Sequence, residues 1–229
     1  MEIINYDTLF EQYAGIAFEK QYSLADVIGD SDWNVDTTTG LIAFGEIEMP
    51  IQVLGTYSFQ SETWLWAWAN QASGIPENLL TQANELKKLG EEYNIEFLTK
   101  DQYKIEATDA HALGIIASGK FGSSAYYAGN FGDGIVLVTV ESSLIDQMGY
   151  NEQARILQSF PQLISAFGIN HRRTLRNYLE AKGYTVGEKQ KEMTAVKGEN
   201  SIFASFDPSD RLTNLKGETS PTPREGEVK

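Results

Sequence analysis

The chain of 229 residues contains no cysteine and only two histidines, His111 and His171. Without cysteine it can form neither a disulfide nor a thiolate metal site. The histidines lack the His-x-x-x-His and Glu-x-x-His spacings of zinc centres, and neither a phosphate-binding Gly-rich loop nor a Gly-x-Ser-x-Gly elbow is present. We therefore expect no metal and no cofactor, and we favour a protein without enzymatic activity. A catalytic triad assembles across a fold, so an enzyme with an unrecognised site stays an open alternative.

Long apolar runs are also missing. The longest strongly apolar stretch is Ile135–Val140, whereas a membrane-spanning helix needs about 20 apolar residues. The first residues, Met1 to Asp7, lack the basic start and apolar segment of a signal peptide. These absences predict a cytoplasmic protein without a membrane partner.

Arginine is absent from the first half of the chain, where the first one along the sequence is Arg155. Residues 1–110 contain 19 acidic side chains and 5 lysines, whereas residues 111–215 contain 10 of each sign. The net charge of −14 therefore originates in the first half. A field of one sign repels nucleic acid and attracts basic proteins. We predict a basic protein partner and no nucleic acid, and simple solubility is the alternative interpretation.

The spacing of apolar residues predicts an α+β fold. Helical spacing is found at residues 9–17 and 79–89, whereas residues 33–70 alternate between apolar and polar side chains. An Asp-Gly turn at Asp133 separates two further strand-like segments. We expect an antiparallel meander over 27–70 and a hairpin over 125–141, packed against helices. The predicted regions are an α+β core (1–148), a helical segment with a terminal hairpin packed on the core (149–215) and a disordered tail (216–229).

Three of the four tryptophans occupy alternate positions in one segment, Thr63–Asn70. On a strand they would share one face at a spacing of about 6.6 Å. That face either fills the core or lines a groove that binds a small molecule. The second interpretation predicts a ligand site made of these indoles, the amide that ends the segment and two tyrosines of the following hairpin: Trp64, Trp66, Trp68, Asn70, Tyr126 and Tyr127.

A local basic cluster, Arg172, Arg173 and Arg176, follows a predicted helix cap at Asn170. Arg172 and Arg176 are one helical turn apart and can grip a phosphate or a carboxylate between them. This spacing predicts an anion site. Ion pairs with carboxylates of the same chain are the alternative.

The strings Leu54–Tyr57 and Thr63–Asn70 resemble the signature of a bacterial domain family of unknown function. The resemblance implies no activity for any residue. Together with the charge distribution it leaves three hypotheses. The first is an acidic cytosolic binding protein, such as an immunity-like or antitoxin-like inhibitor of a basic partner. The second is a small-molecule binding domain that uses the indoles, and the third is the enzyme whose site the sequence does not reveal. The oligomeric state is left open.

Overall fold

The computed structural model describes residues 4–148 and 152–219, which belong to two compact units, Met1–Met148 and Gly149–Lys229. Helices and antiparallel sheets occur in both units, so the predicted α+β class is confirmed. Among the described residues no helix has both the length and the apolar character needed to cross a membrane.

The first unit combines helices with an antiparallel sheet. Its helices are α1 (Tyr6–Ile28), α2 (Thr81–Tyr93), α3 (Glu96–Thr99), α4 (Ala107–Phe121) and α5 (Ser143–Asp146). Its strands are β1 (Trp33–Asp36), β2 (Leu41–Phe44), β3 (Ile47–Ser58), β4 (Thr63–Trp66), β5 (Gln102–Lys104), β6 (Ala125–Asn130) and β7 (Gly134–Val140). Short 3-10 turns cover Ala67–Ala69, Gln71–Ser73 and Glu77–Leu79.

Strand β3 is the centre of this sheet. It pairs with β2 through residues 47–50, with β4 through 55–58 and with β7 through 51–58. Strands β1, β5 and β6 then pair with β2, β4 and β7. Buried side chains of β2, β3, β6 and β7 form one apolar cluster with Leu24 of α1. The burial of this cluster is the main force that holds helix and sheet together.

The meander begins at Trp33 rather than at residue 27, because α1 continues to Ile28. The helix is capped at its start by Asn5, whose side-chain oxygen accepts a hydrogen bond from the Thr8 backbone N–H at 2.9 Å. It ends at Gly29, which has a positive φ of 54°. Such a φ is easily adopted by glycine, which has no Cβ.

The expected strand over Thr63–Asn70 is correct only as far as Trp66. Strand β5 pairs with Thr63, Trp64 and Leu65, and no ladder pairing continues beyond Trp66 among the described residues. The backbone then turns into the 3-10 segment Ala67–Ala69, where the Asn70 N–H donates to the Ala67 carbonyl at 3.2 Å. Because strand alternation ends there, Trp68 does not continue the face predicted for the three indoles.

Over residues 152–219, the second unit combines two helices with a four-stranded antiparallel sheet. The helices are α6 (Glu152–Ala166) and α7 (His171–Ala181), and the strands are β8 (Thr185–Lys189), β9 (Glu192–Lys197), β10 (Asn200–Phe206) and β11 (Leu212–Thr219). Their order in the sheet is β11-β10-β9-β8.

The prediction that the tail is disordered was wrong for residues 216–219, because they lie in β11. These residues are polar, yet their backbone pairs with β10. The Gln153 side-chain amide also donates to the Glu218 carbonyl at 3.1 Å. Backbone pairing of this kind does not depend on apolar side chains. Residues 220–229, the rest of that prediction, lie outside the described residues.

Candidate functional site

Two of the three clustered tryptophans are core residues. Trp64 and Trp66 are both 0% exposed. The Trp66 indole N–H donates to the Phe97 carbonyl at 3.1 Å, and the ring centroids of Trp64 and Trp66 are 5.4 Å apart in an edge-to-face arrangement. The Trp64 ring lies so close to Gly55 that a Cβ there would be 2.4 Å from it. These two indoles pack β3, β4 and α3 together, and neither ring is exposed to solvent.

Trp68 differs from its neighbours because it is half-buried and borders a cleft of about 530 Å³. The other residues that line this cleft come from the segment that enters α2 and from α2 itself: Glu77, Leu80, Thr81, Asn84, Glu85 and Lys88. The Lys87 ammonium lies 3.8 Å from the centroid of the Trp68 ring. Asn70 is half-buried at the end of the 3-10 turn. We name this the Trp68 cleft.

The two predicted tyrosines contact other parts of the first unit. Tyr126 is buried, its hydroxyl is 3.3 Å from Nδ1 of His111, and burial raises the pKa of its phenol. Burial also lowers the pKa of His111. Tyr127 packs edge-to-face on Trp33 and Phe44, with ring centroids 5.5 and 4.8 Å away. Both tyrosines therefore serve to join β6 to its neighbours.

The arginine cluster lies in the second unit at the start of α7, where two of its arginines form ion pairs with a carboxylate of β8. The Arg172 and Arg176 guanidinium groups lie 2.9 Å and 2.5 Å from the Glu188 carboxylate, and Arg172 is also 3.5 Å from Asp210. Arg173 is half-buried and its backbone N–H donates to the Asn170 side chain at 2.8 Å. Glu188 thus occupies the position between two guanidinium groups that we predicted for an anion.

A further cleft was not predicted from the sequence. It has a volume of about 710 Å³ and lies between the end of β3, the β3–β4 turn and the start of α4. Its lining residues are Tyr57, Glu62, Lys104, Ile105, Glu106, Ala107, Thr108 and Asp109. We name it the acidic cleft, since three of these side chains are carboxylates.

Local backbone geometry positions these carboxylates. Glu62 has a positive φ of 55° at the turn, and its carbonyl accepts a hydrogen bond from the Ile105 N–H at 3.1 Å. Asp109 lies in the first turn of α4, where its carboxylate accepts from the Glu106 N–H at 3.0 Å. The two segments are thereby fixed on either side of one opening, although more than forty residues separate them in sequence.

The acidic cleft is negative and has an aromatic border. Its one lysine, Lys104, is 3.2 Å from the Glu62 carboxylate, which leaves an excess of two negative charges among the lining residues. Phe59 is 40% exposed and packs edge-to-face on Tyr57 with ring centroids 5.7 Å apart. The negative charge of Asp109 also acts on Tyr6 of α1, which is not among the lining residues. Burial raises the pKa of the Tyr6 phenol, and the charges of Asp109 and Asp7 raise it further.

The comparison with protein families gives an identification without an activity. A model for a family of unknown function, DUF6882, matches residues 7–141. The chain belongs to this family. The DUF6882 domain extends from α1 through β7 and contains both clefts.

No curated protein and no solved structure matches the chain significantly. The predicted membership of a family of unknown function is confirmed by the DUF6882 match. The tryptophan string as the family signature and a bacterial origin stay predictions.

Proposed function

We propose that the DUF6882 domain is a binding domain, without enzymatic activity, that accepts a cationic segment of a partner protein in the acidic cleft. The observation that carries the proposal is the lining of that cleft. Three carboxylates surround an opening of about 710 Å³, and the single lysine beside them is already paired with Glu62. A lysine or arginine side chain of a partner would reduce the excess of negative charge there.

The charge of the whole unit supports the same partner. Residues 4–148 contain 21 acidic side chains and 6 lysines, with no arginine. Each of these lysines contacts a carboxylate or an aromatic ring of its own unit: Lys20 with Asp146, Lys87 with Trp68, Lys88 with Glu85, Lys100 with Glu96, Lys104 with Glu62 and Lys120 with Phe121. The acidic excess is therefore available to steer a basic partner toward the domain.

The aromatic border adds apolar contact to the electrostatic attraction. An exposed phenylalanine beside a charged cleft can receive the aliphatic stem or the apolar neighbour of a partner's lysine. The cleft volume is within the usual range for ligand sites, so it fits a short segment rather than a whole protein surface. The biological role that we propose for this chemistry is inhibition of a basic protein in the cytoplasm, in the manner of an immunity protein or an antitoxin.

Kinetic binding to a defined peptide tests the proposal. The probe is a blocked Lys-Leu-Lys-Leu-Lys peptide, and the same peptide with glutamate in place of lysine is the negative probe. We expect the paired change Glu62→Gln with Glu106→Gln to weaken binding about tenfold, the effect of losing charge-assisted contacts. We also expect the association rate to fall as salt rises toward 0.15 M, where the screening length is about 8 Å.

The matched control removes the same charge elsewhere. Glu46 and Glu48 are exposed in and beside the β2–β3 turn. Changing both to glutamine should weaken binding by less than about twofold, because only the general field is reduced. Equal losses in the two double variants would show that net charge alone attracts the peptide. Absence of binding to the wild type at low salt would refute the proposal.

A further inference from the structure

The Trp68 cleft contains an arrangement that the proposed function does not use. The 3-10 turn after β4 places the Trp68 indole beside the 3-10 turn Glu77–Leu79 and the first half of α2, and these two segments contribute the carboxylates of Glu77 and Glu85 to the cleft wall. The indole N–H is inaccessible to water and has no hydrogen-bond partner among the described residues. The ring is also nearly parallel to that of Trp66, with 16° between their planes and 6.4 Å between their centroids. The indole is thus held rigidly while part of it remains exposed.

The chain's own lysine shows what the exposed part of this ring attracts. The Lys87 ammonium is 3.8 Å from the ring centroid, and within the described residues it makes no ion pair. Lys88, one position later, pairs instead with the Glu85 carboxylate at 2.6 Å. A cation over an indole is attracted by the negative face of the π system. The Lys87 ammonium therefore occupies a favourable cation position on the indole face, without an ion pair to a carboxylate among the described residues.

From this arrangement we infer that the Trp68 cleft is a second binding site, specific for an alkylammonium group that displaces Lys87 from the indole. The ring face provides the cation–π contact. The cleft wall has one net negative charge, because Lys88 offsets one of the two carboxylates, Glu77 and Glu85. The volume of about 530 Å³ suits a small ligand or a single side chain. Lys87 acts as an internal competitor, because the arriving cation and the lysine require the same place on the ring.

The competition gives the inference a signature that simple charge attraction lacks. Removing Lys87 leaves the ring face open and should strengthen binding. Lys100 is an exposed lysine of the same unit that is not among the lining residues of either cleft, and its removal changes the net charge by the same amount without opening the ring. The pair Lys87→Ala and Lys100→Ala therefore separates displacement from the general effect of a lost positive charge.

The experiment follows the indole N–H resonances of the 15N-labelled full chain during titration with butylammonium chloride and, separately, tetramethylammonium chloride. The chain has four tryptophans, so the spectrum has four such signals, and Trp68→Phe assigns the one that matters. We expect saturable movement of the Trp68 signal with at least one probe. We further expect Lys87→Ala to lower the dissociation constant about three- to fivefold, and Lys100→Ala to change it by less than twofold.

Each outcome decides the inference. A Trp68 signal that stays fixed with both probes, or that moves equally with sodium chloride, overturns it. Equal gains in the two lysine variants also overturn it, because general electrostatics would then be sufficient. If binding is found, tighter binding of butylammonium identifies a primary amine such as a lysine side chain, and tighter binding of tetramethylammonium identifies a quaternary ammonium compound. The peptide test of the acidic cleft is distinguished from these results by its Glu62→Gln with Glu106→Gln variant, because these two residues line the acidic cleft and not the Trp68 cleft.

Discussion

The substitution Trp66→Ala is the sharpest test of the packing described for the tryptophan segment. Trp66 is 0% exposed and its indole N–H donates to the Phe97 carbonyl at 3.1 Å. Its ring also meets those of Trp64, Trp68 and Phe97, with centroids 5.4, 6.4 and 6.3 Å away. Truncation to alanine therefore removes a fully buried side chain at the junction of β4 and α3.

The expected loss of unfolding free energy is about 4–5 kcal/mol. Removal of a buried large aromatic costs about 3–5 kcal/mol, which combines the lost transfer energy with the cavity that remains. The lost hydrogen bond places the value in the upper part of this range, because it leaves the Phe97 carbonyl without its indole donor. Trp66→Phe keeps most of the ring and should lose only about 1–3 kcal/mol.

Urea unfolding followed by tryptophan fluorescence measures this loss. All four tryptophans lie between residues 33 and 68, so the signal reports on the first unit alone even where the two units unfold separately. Trp68→Ala is the matched control: its side chain is half-buried, and we expect a loss of about 1–2 kcal/mol. A loss below about 1 kcal/mol for Trp66→Ala, or equal losses for the two alanine variants, would refute the reasoning.

Three further changes probe other contacts. Gly114→Ala should destabilise the first unit by about 1–3 kcal/mol, because its Cβ would lie 2.3 Å from the Tyr126 ring; an unchanged urea midpoint would contradict this close approach. The Arg211 backbone N–H lowers the pKa of Asp207, so the stability that this carboxylate contributes should be present above about pH 4 and lost as pH falls through the lowered folded pKa. Side-chain NMR titration should give an Asp207 pKa below the usual value. An ordinary value would show that the hydrogen bond from the Arg211 N–H does not stabilise the charged carboxylate. Glu188→Gln removes the carboxylate between two arginines and should cost the second unit about 1–3 kcal/mol, since the pair is partly buried; an unchanged far-UV circular dichroism midpoint would show that the pairing contributes nothing.

The sequence was informative wherever a local signal and a tertiary contact required the same conformation. The hairpin from Trp33 to Phe44 follows the alternation of its side chains, and Asp36 closes its turn by accepting the Thr38 N–H at 2.7 Å. The hairpin over 125–140 and the helix cap at Asn170 were likewise readable, because turn residues and caps act within a few positions. The acidic cleft had no such signal, since neither Glu62 nor Asp109 differs locally from a solvated turn residue or a residue of a helix first turn.

The sequence by itself determined the α+β class, most of the strands and the excess of acidic charge in the first half, because side-chain periodicity and net charge are properties of the chain. Only the tertiary structure decided the functions of individual side chains. The tryptophan string is uniform in sequence, yet the end of strand pairing after Trp66 buries two indoles and leaves Trp68 beside a cleft. The arginines of α7 find Glu188 only because β8 returns alongside that helix. Contacts of this kind join segments that are distant in sequence, and no local pattern of residues specifies which distant segments will meet.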